Sequence, residues 1–100
     1  MVCGAELDNQ EISRIFKALG DENRLRILRL LIKDELCGCQ LLSELDIGQS
    51  TLSHHMKILG EAGLINCNKV GKWCRYSLNV TGWEKAKSEI MKITKSLGDV

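Results

Sequence analysis

Two short helical patterns joined by a tight turn constrain this chain more than any other stretch of it. Leu41, Leu42 and Leu45 form the apolar stripe of a short helix expected from about Cys37 to Leu45. The residues DIGQ that follow, with Gly48 among them, leave room for a turn and little else. A second helix opens at Gln49 or Ser50, turns Leu52, Met56 and Leu59 inward and stops at Gly63. Two helices so joined have the layout of a helix-turn-helix.

The flanking sequence supplies the rest of a small domain. Asp8 and Glu11 have the spacing of a capping box, and Ile12, Ile15, Phe16 and Leu19 then recur at helical intervals up to Gly20. Asp21 is the expected N-cap of a second helix. That helix is apolar on more than one face (Leu25, Ile27, Leu28, Leu30, Leu31, Ile32), which marks it as the central core helix and leaves Arg24, Arg26 and Arg29 for its remaining face. After Gly63 the texture changes to two strand-like stretches, LINCNK and KWCRYSL, around a Val70-Gly71 turn, with Lys69, Lys72 and Arg75 crowding the tip of the hairpin. Thr81 and Glu84 form a second capping-box pattern, opening a last helix with Trp83, Ile90, Ile93 and Leu97 along one face. The expected order is α-α-α-α-β-β-α: mainly α with a small β-hairpin, a winged helix-turn-helix in one domain over residues 1–100.

Charge adds direction. The net charge is only +1, but residues 1–49 carry six basic and nine acidic groups, whereas residues 50–80 carry Lys57, Lys69, Lys72 and Arg75 against Glu61 alone. Positive charge gathered in one segment points to a polyanionic partner. The longest apolar run, Ile27 to Ile32, is broken by Arg29 and falls far short of a membrane span, and the N-terminus has no apolar run of a signal peptide. The expectation is a cytoplasmic protein with no membrane partner, whose five cysteines are mostly reduced. No Ser/His/Asp arrangement, HExxH or phosphate loop suggests an enzyme, and no cofactor is required.

In a helix-turn-helix the second helix enters the major groove of double-stranded DNA. Here it offers Gln49, Ser50, Thr51, Ser53, His54, His55 and Lys57, with no acid before Glu61. Gln pairs bidentately with adenine, hydroxyls reach bases or phosphates, and Lys neutralises phosphate or reads guanine. The hairpin with Lys69, Lys72 and Arg75 then lies along the flanking backbone as a wing. His54 and His55 are adjacent and diverge by about 100° on a helix, so they do not chelate one ion; groove contact or solvent exposure is the better reading.

KALGDENRLRILRLL, ELCGC, STLSHHMKILGEAGLI and VGKWCRYSL together resemble the ArsR/SmtB family of winged-helix metal-sensing repressors, over roughly residues 9 to 97. Within that match Ser53, His55, Leu59, Ala62, Gly63 and Leu64, followed by a basic wing, are specific in combination. The resemblance implies a homodimer built on the first and last helices, which represses its own operon and leaves operator DNA when a toxic or excess metal ion binds. From the residues alone, the apolar stripe of the last helix serves equally to close the core of a monomer.

Cys37 and Cys39 are the candidate sensors. Side chains at i and i+2 of a regular helix diverge by about 200°, so both face one ion only if the first turn is irregular, which Gly38 permits. A helix N-terminus lowers a thiol pKa, and thiolates select soft ions: arsenic(III), antimony(III), cadmium, lead, copper(I) and zinc. Free cysteines are also often plain core residues. The family resemblance favours ligation, because ELCxC is where its arsenic and cadmium/lead sensors place thiolates. One arsenic-sensing branch has a third Cys three residues further on, where this chain has Leu42. Cys3, from an arm that in the cadmium/lead branch reaches the other protomer, is the first candidate for the missing ligand. Cys67 and Cys74 come second. The Val70-Gly71 turn sets them directly opposite, where packing is the leading reading, ahead of ion binding or oxidation. The family's zinc site on the last helix is not expected, since residues 81–97 contain no His, and its redox or persulfide sensors need a Cys on that helix. The leading expectation is release of DNA on arsenite or antimonite binding. A cadmium- or lead-responsive repressor and a thiol redox or metal-buffering protein without a DNA role are the alternatives.

Overall fold

A computed structural model describes residues 7–96. Helix α1 (Asn9–Leu19) starts at the expected capping box: the Glu11 amide donates to Asp8 Oδ1 (2.8 Å) and the Asp8 amide to Glu11 Oε1 (3.1 Å). Helix α2 (Glu22–Lys33) is capped by Asp21, whose Oδ1 accepts from the amides of Asn23 (2.8 Å) and Arg24 (3.2 Å). Its buried stripe is Ile27, Leu28 and Leu31, whereas Leu25 and Ile32 are exposed, the latter at 69%. The second apolar face expected in the core is therefore open. Arg24, expected outward, is buried instead.

Next comes an element the sequence did not announce. Leu36–Cys37 forms a two-residue strand, β1, and helix α3 (Gly38–Glu44) begins after it, so Cys37 is the N-cap of α3 rather than its first helical residue. Helix α4 (Gln49–Glu61) follows and ends in a Schellman motif: Leu64 N–H reaches Leu59 O (3.1 Å) and Gly63 N–H reaches Gly60 O (3.0 Å). Gly63 takes φ +77°, and the buried pair Leu59 and Leu64 gives the motif its apolar contact. Strands β2 (Ile65–Val70) and β3 (Trp73–Leu78) complete an antiparallel sheet of order β1-β3-β2.

The hairpin register differs from expectation by one residue. Val70 pairs with Trp73, so the turn is Gly71-Lys72, with Gly71 at φ +65°. A glycine at the first central position is the signature of a type II′ turn; Val70-Gly71 would have put it second. Cys67 therefore faces Tyr76, and Cys74 faces Lys69.

Helix α5 (Val80–Ser96) starts earlier than the Thr81–Glu84 pattern suggests. Asn79 caps it, its Oδ1 accepting from the Gly82 amide (2.9 Å). Here the chain packs so tightly that a Cβ on Gly82 would collide with the Gly63 carbonyl. Trp83 Nε1 donates to Leu64 O (3.1 Å), and the Asn79 amide to the same oxygen (3.0 Å). The core runs from Ile15 and Ala18 of α1 through Ile27, Leu41, Leu52 and Leu59 to Ile65 and Ala86. Beyond Ala86 and the buried Glu89, α5 turns Met91 and Ile93 to the surface; Leu97 lies outside the described residues.

The glycine contact yields a stability test. Gly82→Ala is expected to lower stability by about 1–3 kcal/mol, the usual cost of overpacking, because backbone must move. Gly60→Ala, in open space on α4, should raise it by roughly 0.5–1 kcal/mol. Urea midpoints of the two variants check both signs.

Candidate nucleic-acid interface and thiol site

Helix α4 buries Leu52, His55, Met56 and Leu59 at i, i+3, i+4 and i+7. Gln49, Ser50, Thr51, Ser53, His54 and Lys57 are all exposed on its other face. His55, expected among the DNA contacts, is only 6% exposed and points into the protein. The reason is Arg24. Its Nη1 lies 3.0 Å from His55 Nδ1, its Nε donates to Ala18 O (2.8 Å) and its Nη2 to Lys17 O (3.2 Å). Arginine has no acceptor, so His55 Nδ1 must accept and the neutral ring carries its proton on Nε2.

The electrostatics agree. Burial pushes the His55 pKa below its ordinary value; Asp21 opposes this, and the nearby Arg24 charge adds to it. Burial pushes the Asp21 carboxyl up, but the amides of Arg24 and Asn23 and the positive charge of Arg24 outweigh it, so Asp21 titrates lower than usual.

Lys69, Lys72 and Arg75 are exposed on the hairpin. Lys69 pairs with Cys74 and Arg75 with Asn68, so successive pairs put Lys69 and Arg75 on opposite faces, with Lys72 in the turn between. Arg75 is also engaged at its base: its Nε stands 3.6 Å from Glu35 Oε1.

At the thiols, strand β1 removes the geometric objection to the pair. Cys37 is extended (φ −86°, ψ 167°) and Cys39 lies in the first turn of α3, so the two are not i and i+2 of one helix. The Cys37 amide donates to Gln40 Oε1 (2.8 Å). The Cys37 thiol is held below its ordinary pKa, first by the Gln40 amide and then by the backbone and thiol of Cys39, against the opposing effect of burial. Both are free thiols, Cys37 half-buried and Cys39 exposed. Cys67 and Cys74, for which packing was the leading expectation, are joined in a disulfide with Cα atoms 6.1 Å apart. The shifted register explains this: both side chains lie on one face of the hairpin as diagonal neighbours. Among the described residues no three His, Cys, Asp or Glu side chains stand together as a ready ion site, and Cys3 lies outside those residues.

Sequence reasoning missed β1 and the Arg24–His55 bond. A two-residue strand carries no periodicity, and a His next to another His on a polar helix gives no sign that it is buried. The one available signal was the 52/55/56/59 spacing, which places His55 in the apolar stripe.

Comparison with known proteins fits this architecture. Residues 21–66 match the family described as bacterial regulatory protein, arsR family. The arsenical resistance operon repressor of Staphylococcus xylosus is 47% identical over 70 residues, covering 70% of this chain and 67% of that protein. The chain belongs to the ArsR family. A second relative, the cadmium resistance transcriptional regulatory protein CadC of Listeria innocua, is 40% identical over 73 residues, 72% of this chain and 61% of that protein. Among solved structures, an ArsR-like transcriptional regulator from Rhodococcus superposes with a TM-score of 0.78 at 26% identity, covering 88% of this chain and 83% of the other. This ArsR-family chain is thus a DNA-binding transcriptional regulator with a winged-helix fold, and its relatives include an arsenical resistance repressor and a cadmium resistance regulator. Among the described residues no helix is long and apolar enough to cross a membrane.

The buried histidine predicts a pH dependence. Because its folded pKa is depressed, the stability contributed by neutral His55 is complete above the ordinary histidine value of 6.5 and is lost as pH falls through the lower folded value. Chemical denaturation from pH 7.5 down to about pH 5 should show this decline, and His55→Gln, which keeps an acceptor for Arg24, should flatten it.

Proposed function

We propose that this chain is a homodimeric cytoplasmic repressor that leaves operator DNA when a thiophilic ion, arsenite or antimonite first, binds through Cys37, Cys39 and one further thiol. The observation that carries this reading is the thiol pair itself. Two free cysteines one residue apart, one of them with a depressed pKa, sit at the entry to α3, the first helix of the helix-turn-helix. An ion that gathers them alters the entry of that helix and with it the aim of α4. Soft thiolates suit arsenic(III), and equally cadmium or lead, the alternative favoured by the likeness to CadC. The family pattern nominates Cys3 as the third thiol, supplied from the other protomer; Cys67 and Cys74 are the competing sources within the same protomer.

On the DNA side, Gln49, Ser50, Thr51, Ser53, His54 and Lys57 face the major groove, and Lys69, Lys72 and Arg75 meet the flanking backbone; His55 instead holds the helix from within. Exposed Phe16 on α1 and Met91 on α5 support a dimer seam along these two helices. A two-fold pair of recognition helices reads half-sites about one helical turn, ~34 Å, apart.

Binding to the promoter upstream of the chain's own gene tests the reading. Titration over a range of salt should give a steep slope, and Lys57→Ala, Lys69→Ala and Lys72→Ala should each reduce it by about one. Arsenite should release the wild-type protein, and the double variant Cys37→Ser/Cys39→Ser should stay bound. Release that survives both substitutions sinks the sensor assignment, while a flat salt response sinks the DNA-contact assignment.

A further inference from the structure

The tip of the wing has little to hold it in shape. Strand β1 pairs with β3 only at Arg75 and Tyr76, so from Cys74 to the turn the hairpin is a bare two-stranded ribbon. Residues 66 to 72 are all exposed, Val70 at 61%, and the buried side chain of β2 is Ile65 at its far end. A two-stranded hairpin without an apolar cover is marginally stable in water, where its ladder bonds merely replace bonds to solvent. Side-chain ties to other elements stand just outside this stretch: Asn79 Nδ2 donates to Asn66 Oδ1 (3.0 Å), and Arg75 Nε meets Glu35 Oε1 (3.6 Å). Within it, the crosslink is the Cys67–Cys74 disulfide, which joins residues seven apart and closes a loop that holds Lys69 and Lys72. Closing that loop removes open conformations of the tip and so favours the paired one.

We propose that the Cys67–Cys74 disulfide is a redox clasp on the wing: closed, it holds Lys69 and Lys72 in register for the DNA backbone, and reduced, it lets the tip open and operator binding weaken. This rests on the reading of the wing as a DNA contact and needs no metal ion. The surroundings of the bond suit its reduction. Cys67 is exposed and offers the point of attack, while Cys74 is half-buried and supplies the leaving sulfur. Lys69 is the direct cross-strand partner of Cys74, and Lys72 lines the same cavity as that sulfur. Two cations near a departing thiolate stabilise it and speed exchange. A dithiol reductant gives up two electrons and two protons in the step. One of its thiolates attacks Cys67 Sγ, the S–S bond breaks, and Cys74 leaves. Its second thiol then resolves the mixed disulfide, so the reductant departs as its own disulfide and both cysteines end as thiols. In the cytoplasm proposed for this chain, disulfides of this kind are as a rule redox-responsive rather than structural. Once the clasp opens, the paired tip is only a fraction of the population, and the apparent DNA affinity falls by that fraction.

Operator binding and amide hydrogen exchange, measured on metal-free protein before and after treatment with a dithiol reductant, test the clasp. Reduction should weaken operator binding by about fivefold or more and speed exchange at the amides of residues 68–73, with the helices unchanged. Oxidised-condition samples of Cys67→Ser/Cys74→Ser should match reduced wild type in both measurements and ignore the reductant. Cys37→Ser/Cys39→Ser should still lose affinity on reduction; a response that vanishes there places the switch at the other thiol pair and overturns the clasp. Equal or tighter binding by reduced wild type, or unchanged exchange at the tip, overturns it as well. Lys69→Ala/Lys72→Ala separates the clasp from the reading beneath it. If that variant keeps wild-type affinity and salt slope, the wing does not touch DNA and that reading falls, whatever hydrogen exchange says of the disulfide.

Discussion

The bond between Arg24 and His55 sets the geometry on which the rest of this protein depends. A guanidinium has five N–H donors and no tolerance for burial without acceptors. Here they reach the carbonyls of Lys17 and Ala18, in the last turn of α1, and His55 on α4. Carbonyls at a helix C-terminus lack partners of their own and form the negative end of its dipole, so the cation suits the place in both respects. One side chain of α2 thereby fixes the end of α1 and the roll of α4 about its axis. With Leu52, His55, Met56 and Leu59 held inward, Ser50, Thr51, Ser53, His54 and Lys57 are turned outward. Removing the arginine would leave the helix packed by apolar contacts, which are not directional. The polar bond gives a precise orientation that hydrophobic burial alone does not.

Much of the fold was legible because local rules and tertiary packing agree along most of the chain. The Asp8–Glu11 box, the Asp21 cap, the stripe of α4 and the stop at Gly63 all sit where the sequence puts them. The departures have specific causes. Gly71 serves equally well in either central position of a two-residue turn, and choosing the wrong one slid the register by a residue and separated Cys67 from the position opposite Cys74. At α5 a Thr-x-x-Glu pattern competed with an asparagine two residues earlier, and Asn79 prevailed because its backbone is also held by Leu64. Strand β1 is too short for any pattern and exists only because β3 offers it a free edge. The candidate site was legible as a list of residues and illegible as an arrangement. Where Cys37 sits depends on that missing strand, and which histidine faces solvent depends on an arginine 31 positions away.

The three-stranded sheet changes how the thiols and the wing relate. In sequence, ELCGC belongs to the helix-turn-helix and Cys67 and Cys74 to the hairpin, as separate features. In the fold, β3 pairs with β1 on one side and β2 on the other, so the residue that opens α3 is hydrogen-bonded to the wing. Cys37 is thus connected to the exposed face of α4 through α3 and the short turn, and to the hairpin across the sheet. Coupling of ~1–3 kcal/mol is typical between a ligand and a distant contact surface, and two short routes of packed structure need carry no more than that between them.

Glu35 and Arg75 show how such a small energy acts. The pair is exposed and loosely spaced at 3.6 Å, so it contributes at most about 1 kcal/mol. If Arg75 meets DNA as proposed, a phosphate competes with the carboxylate of Glu35 for its guanidinium. Glu35 lies two residues before Cys37 and moves with the strand that holds it. Exchanging one partner for the other is then only a difference of two weak attractions.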